Sequence, residues 1–223
     1  MQGQPIDLTH KLDTSNISIY PGDPTFSSTP CCTVAKDGYS VHNISIGSHT
    51  GTHLDAPSHF VQGGKTVDEI PLGMLVGKAR VIDLTGKGKE KLQRISWEED
   101  LQHHFPAAQS PWSIVLLKMG WAKHWATPGY FSYPFLEKRV AEELVRRGVD
   151  VLGVDTLSPD AIDGPEEYGV HDVVLGAGKV LVENLNLEEL KPEDEEVVVS
   201  FLPLNLAGCD GSPVRAVAWR NLG

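Results

Sequence analysis

Cysteine is scarce in this chain of 223 residues, with only Cys31, Cys32 and Cys209. An odd number, two of them adjacent, is a poor basis for a disulfide framework, so a reducing compartment is expected. Long hydrophobic runs are missing too, and none approaches the ~20 apolar residues that span a bilayer. The opening "MQGQPIDLTH" has neither a basic nor an apolar leader segment. A cytoplasmic protein without a membrane partner is therefore expected. Positive charge is also in short supply, 19 Lys and Arg against 30 Asp and Glu, for a net charge of −11. That balance argues against a nucleic-acid groove or an anionic membrane surface as partner, while leaving cations welcome. Repeats, low-complexity stretches and long linkers are absent, and the length suits one domain over 1–223.

What the chain has is a succession of short strand-like runs. They are "VHNISIG" (41–47), "ARVIDLT" (79–85), "SIVLLKM" (113–119), "VDVLGVD" (149–155), "KVLVEN" (179–184), "EVVVSFLPL" (196–204) and "VRAVAW" (214–219). All are rich in β-branched residues and bounded by turn formers. "VLLKM" and "VLGVD" are almost continuously apolar, as in strands covered on both faces. Helices are expected over "SWEEDLQHHF", where Ser96 and Glu99 form a capping-box pattern, and over "PFLEKRVAEELVRRG" from Pro134 to Gly148. A weaker helical pattern covers 166–178. Interleaved strands and helices, strands in excess, place the fold in the α/β or mixed α+β class with a mixed sheet.

The chemistry concentrates in "SHTGTHLDAPSHF" (48–60). His49, Gly51, His53 and Asp55 alternate, so an extended chain would aim them to one side. Two imidazoles and a carboxylate form a partial ligand set for Zn²⁺ or Mn²⁺, with positions left for water and substrate. In a straight strand His53 and Asp55 would lie ~7 Å apart, but His49 and His53 ~13 Å apart, too far to share an ion. A bend is needed, and Gly51 permits one. His59, beyond Pro57, is either a further ligand or a free imidazole that moves protons. Asp155, Ser158 and Asp160 follow an apolar strand, where either an active-site loop or a capping turn fits. Phe60, Trp121 and Trp125 are pocket or core aromatics. Nothing marks Cys31 or Cys32 as an activated thiol.

"HTGTHLDAPSH" resembles the H-x-G-T-H-x-D-x-P-x-H signature of the cyclase family of metal-dependent hydrolases, which includes bacterial-type kynurenine formamidase and isatin hydrolase. "IYPGDP" (19–24), "VLLKMGWAKHW" (115–125), "GVDTLSPD" (153–160) and "HDVVLGAGKVLVENLNL" (171–187) resemble it as well, so the likeness runs nearly the full length. The resemblance implies a compact β/β/α domain with a barrel-like mixed sheet. It implies one divalent ion on His49, His53 and Asp55, and in two-zinc members a second on Asp55, His171 and Glu183. His59 would then be the proton donor and acceptor. Zn²⁺ is the expected cofactor, one ion or two, with Mn²⁺ the alternative. A homodimer or homotetramer is implied too. Tyr20 stands where the formamidases carry a substrate-holding Trp; a tyrosine keeps the flat apolar ring and adds a hydroxyl. The expected activity is hydrolysis of a non-peptide C–N bond in a formamide or cyclic amide. The rivals are a lactone hydrolase or a cyclase or dehydratase using the same metal, and a non-catalytic protein with a closed structural ion.

Overall fold

The computed structural model describes residues 3–86, 92–162, 169–191 and 193–220. Nine strands form one sheet: β1 (Ile6–Asp7), β4 (His53–Asp55), β5 (Val76–Asp83), β7 (Ile114–Lys118), β9 (Val151–Val154), β10 (Val180–Glu183), β11 (Glu196–Ser200), β12 (Gly211–Pro213) and β13 (Val217–Arg220). Their spatial order is β1-β13-β11-β5-β7-β9-β10-β4-β12. The central block β5-β7-β9-β10 is parallel, and the pairs outside it are antiparallel. β2 (Ser27–Cys32) and β3 (Val41–Ser45) form a separate hairpin, with the short helix α1 (Val34–Asp37) at its tip. β6 (Arg94–Ile95) pairs with β8 (Phe135–Leu136). Two longer helices, α2 (Lys138–Arg146) and α3 (Gly169–Gly176), complete the fold.

All seven expected strand segments contain strands, and the mixed class holds. The apolar runs of β7 and β9 are the centre of the sheet, where Ile114–Leu117 and Val151–Val154 are buried throughout. Their alternation sorts the interior into two cores. Ile114, Leu116, Val151, Val180, Val182 and Leu54 face one way, into a core that also takes Ile6 and Leu8 from the far edge. The sheet thus curls into a half-barrel. Just beyond its strands, Thr9 bridges to Leu185, and Asn186 N donates to Leu8 O at 2.8 Å. Val115, Leu117, Leu152, Val154 and Leu181 face the other way, under α2 and α3.

Helical expectations fared unevenly. Val140 and Leu144 of α2 are buried as the spacing required, but the helix begins at Lys138, because Phe135 and Leu136 pair as β8. Over "SWEEDLQHHF" there is no α-helix but a wide π-turn at Trp97–Leu101, followed by a 3₁₀ turn. Ser96 does cap Glu99 N at 3.2 Å, yet the group that returns to Ser96 N is Asp100, at 2.9 Å. Shifting the reciprocal cap by one residue widens the turn. The weaker pattern at 166–178 contains α3; its residues 166–168 lie outside the described ones.

Gly153, in mid-strand, shows how tightly the barrel side is filled. A Cβ there would lie 2.5 Å from Leu116 Cδ2 and 2.8 Å from Leu185 Cδ1. Both leucines are fully buried. Overpacking of this kind costs about 1–3 kcal/mol, so Gly153→Ala should lower the urea midpoint accordingly with an unchanged m-value. A midpoint equal to the parent's would mean that this core has slack.

Candidate functional site

β4 and β10 build the site together. They pair antiparallel with His53 opposite Glu183 and Leu54 opposite Val182. Cross-strand partners share a face, so His53, Asp55 and Glu183 all emerge on the helix-covered side while Leu54 and Val182 enter the barrel core. Glu183 ends the last of the parallel strands, at the carboxyl edge where open α/β sheets commonly bind their ligands.

Gly51 supplies the expected bend, with φ +69. It brings the rings of His49 and His53 to 5.1 Å between centroids. His49 Nδ1 then lies 2.7 Å from Asp55 Oδ1, and His53 Nε2 lies 3.1 Å from the same oxygen. His171, on α3, places Nε2 3.5 Å from Asp55 Oδ2 and 3.2 Å from Glu183 Oε1. Two sets of donor atoms, His49-His53-Asp55 and Asp55-His171-Glu183, each fall within 4.8 Å of one another and share Asp55. These are compact enough to hold divalent cations. A third such set, His49-His59-Asp210, lies on the outer side.

The far nitrogens of these rings are fixed. His53 Nδ1 donates to Gly51 O at 2.8 Å, which aims Nε2 at Asp55. His171 Nδ1 lies 2.6 Å from Asp160 Oδ2, and that carboxylate also accepts from the backbone N–H groups of Val170 and His171 at 2.7 and 3.0 Å. Asp160 therefore caps α3 and orients its histidine at once. Of the other two residues in that segment, Ser158 lines the cavity and Asp155 is structural. The Asp155 carboxylate accepts from Met119, Gly120 and Trp121 N at 2.8, 2.8 and 3.1 Å, and burial raises its pKa to about 6 against those bonds.

Electrostatics reflect two carboxylates forced inside. Burial and the neighbouring Asp55 push Glu183 upward despite His171 and His53. Burial works against charge on His49, yet Asp55 and Asp210 outweigh it and raise the ring to about 10; His53 and His171 are raised as well. His59 differs. Burial, assisted by the neighbouring histidines, lowers it.

His59 sits on the 3₁₀ turn Pro57–His59, packed on His49 with ring centroids 3.9 Å apart. Beside it opens a cavity of about 240 Å³, whose apolar wall includes Tyr20, Phe60 and Leu157, with Asn184 on the polar side. Phe60 stacks on His171 at 4.7 Å. Tyr20 lies in the cavity wall. Trp121 and Trp125 do not reach it and instead back that wall in a cluster with Tyr130 and Tyr133.

Asp210 was not singled out in the sequence. Its Oδ2 lies 2.9 Å from His49 Nε2 and 3.3 Å from His59 Nδ1. Burial opposes its ionisation, but His49 holds it at about 2. "CDGSP" reads as a turn, and no local spacing links it to histidines some 150–160 positions earlier.

Asp160 yields a prediction independent of any bound ion. Asp160→Ala removes the acceptor for two buried backbone N–H groups and should cost about 1–3 kcal/mol in denaturant unfolding. A cost near zero would show that α3 is capped by something else.

The chain is 33% identical over 222 residues to kynurenine formamidase of Geobacillus thermodenitrificans, covering 98% of each chain. It is 32% identical over 217 residues to kynurenine formamidase of Bacillus cytotoxicus, covering 95% of each. Among solved structures, isatin hydrolase A from Labrenzia aggregata, bound to benzyl benzoate, superimposes with a TM-score of 0.83 at 27% identity. That match covers 96% of this chain and 93% of the other. The family profile described as "Putative cyclase" matches residues 6–161. The chain belongs to this cyclase family.

Proposed function

We propose that this protein is a metal-dependent hydrolase that opens a non-peptide C–N bond, in an aryl formamide or a cyclic amide. The observation that carries the reading is the pair of buried carboxylates, Asp55 and Glu183, ringed by imidazole nitrogens beside a small cavity. Similarity to kynurenine formamidases and to an isatin hydrolase supports the same reaction class.

The residues fit a divalent cation. Asp55 Oδ2 and Glu183 Oε1 are buried without a hydrogen bond, a costly arrangement for carboxylate oxygens that metal coordination would resolve. His49, His53 and Asp55 would hold one ion, and Asp55, His171 and Glu183 a second. Nitrogen and oxygen donors of this kind favour Zn²⁺, with Mn²⁺ the alternative. When bound, such an ion polarises the scissile carbonyl and acidifies water.

The chain's own side chains do the rest. His53 and His171 are held by Gly51 O and Asp160 in orientations that keep Nε2 aimed at the carboxylates. His59 lines the cavity and would take the proton from the attacking water, then return it to the departing nitrogen. Tyr20 and Phe60 would pack on the aryl ring and keep bulk water from it.

A homodimer or homotetramer completes the reading. Every residue of β3 is exposed, and Tyr39, Val41 and Ile44 are 58%, 47% and 60% accessible. A two-stranded hairpin with no covered face is marginal in water, and packing on a second copy would stabilise it. We place the protein in the cytoplasm. Among the described residues no helix is long and apolar enough to cross a membrane.

The test is a hydrolysis panel of N-formylkynurenine, isatin and simple lactones, run on purified, chelator-treated and reconstituted protein. Amide turnover should vanish with chelation and return with Zn²⁺ or Mn²⁺. His53→Ala and Asp55→Ala should lose both metal and rate, whereas His59→Ala should keep its metal and lose roughly 10²–10⁴ in kcat. Turnover by metal-free protein, or hydrolysis of lactones alone, would refute the proposal. Loss of metal in His59→Ala would make that residue a ligand.

A further inference from the structure

Asp210 stands outside both inner donor sets, yet it touches the two histidines on which they and the proton transfer depend. It is held there by backbone on both sides. Ala56 N donates to Asp210 O at 2.9 Å, and Val67 N donates to Cys209 O at 2.8 Å. The next residue, Gly211, pairs with Asp55 in the β12–β4 ladder. A Cβ on Gly211 would lie 2.7 Å from His49 Cε1 and 3.0 Å from Leu54 O. The strand thus presses against the His49 ring as closely as a chain without a side chain can. This leaves the Asp210 carboxylate a fixed position relative to both imidazoles.

An ionised carboxylate accepts hydrogen bonds and donates none. The nitrogens that face Asp210 Oδ2, Nε2 of His49 at 2.9 Å and Nδ1 of His59 at 3.3 Å, therefore carry hydrogens. On His49 this frees Nδ1, the atom beside Asp55, to coordinate. On His59 it leaves Nε2 as the basic nitrogen of a ring that lines the cavity. A carboxylate behind an imidazole fixes its tautomer and stabilises the imidazolium formed when it accepts a proton, without itself becoming protonated.

We infer that Asp210 is a positioning residue, one carboxylate that sets the tautomer of a metal ligand, His49, and of the proton carrier, His59. This rests on the hydrolase reading above and deepens it. When His59 Nε2 takes a proton from water, the ring becomes an imidazolium hydrogen-bonded to Asp210. When that proton passes to the departing nitrogen, the neutral ring returns with its Nδ1 hydrogen still on Asp210.

The experiment has two arms on the metal-loaded protein. In the first, ¹⁵N–¹H correlation spectra of the histidine side chains assign the His59 tautomer in the unaltered chain. A hydrogen on Nδ1 is expected, and a hydrogen on Nε2 alone would overturn the inference, whatever the variants do. In the second, Asp210→Asn keeps the shape and removes the charge. It should retain its metal at saturating concentration and lose about 10–100-fold in kcat, the usual effect of a residue behind a metal-site histidine, with KM little changed. The same substitution in a His59→Ala background should cost less, because the part of its effect that runs through that ring is already gone. Full kcat in Asp210→Asn, or an equal loss in both backgrounds, would contradict the inference. Unchanged turnover in His59→Ala alone would instead bring down the assignment of the proton carrier, so the two failures are told apart.

Discussion

Two carboxylates buried side by side are the constraint on which the rest of this structure turns. Asp55 is fully buried and Glu183 is 5% accessible, on adjacent strands of one sheet. Removing a carboxylate from water costs several kcal/mol even after relaxation, and the second raises the cost of the first. Such a pair persists only where positive charge is brought to it. His49, His53 and His171 surround it at hydrogen-bonding or ion-pair distance, and cations coordinated by the same atoms would compensate it more completely.

That requirement explains the local architecture. The left-handed turn at Gly51 folds His49 back onto His53, the antiparallel β4–β10 pair aligns His53 with Glu183, and α3 carries His171 in from the helical layer. Asp160 then lies behind His171, and Asp210 beside His49 and His59. A curled sheet suits this well. Its inner core gathers Leu54, Ile114, Leu116, Val180 and Val182, while His53, Asp55 and Glu183 emerge on the other face at the carboxyl edge of the parallel strands.

Much of this was legible in the sequence, where periodicity is a local property. Apolar runs at 113–119 and 149–155 mark the central strands, and alternation at 49–55 with a permissive Gly51 anticipates the bend. His171 and Glu183 are different. Nothing in their surroundings sets them apart from surface residues, and only the family likeness gathers them to Asp55. Asp210 escaped both routes, because its meaning comes from strand pairing of β12 with β4 rather than from its neighbours in the chain. The expected helix at 96–105 is present as a π-turn over Trp97–Leu101 and the 3₁₀ turn after it, not as an α-helix. The carboxylate that accepts from Ser96 N is that of Asp100, one position beyond the Glu99 of the capping-box pattern.

Anomalous diffraction from crystals of the protein grown with Zn²⁺, with data collected on both sides of the zinc edge, tests the central claim most directly. The account predicts two peaks sharing Asp55, one bounded by His49 and His53 and the other by His171 and Glu183. Density only at surface sites, or none at this cluster with zinc in excess, would contradict it.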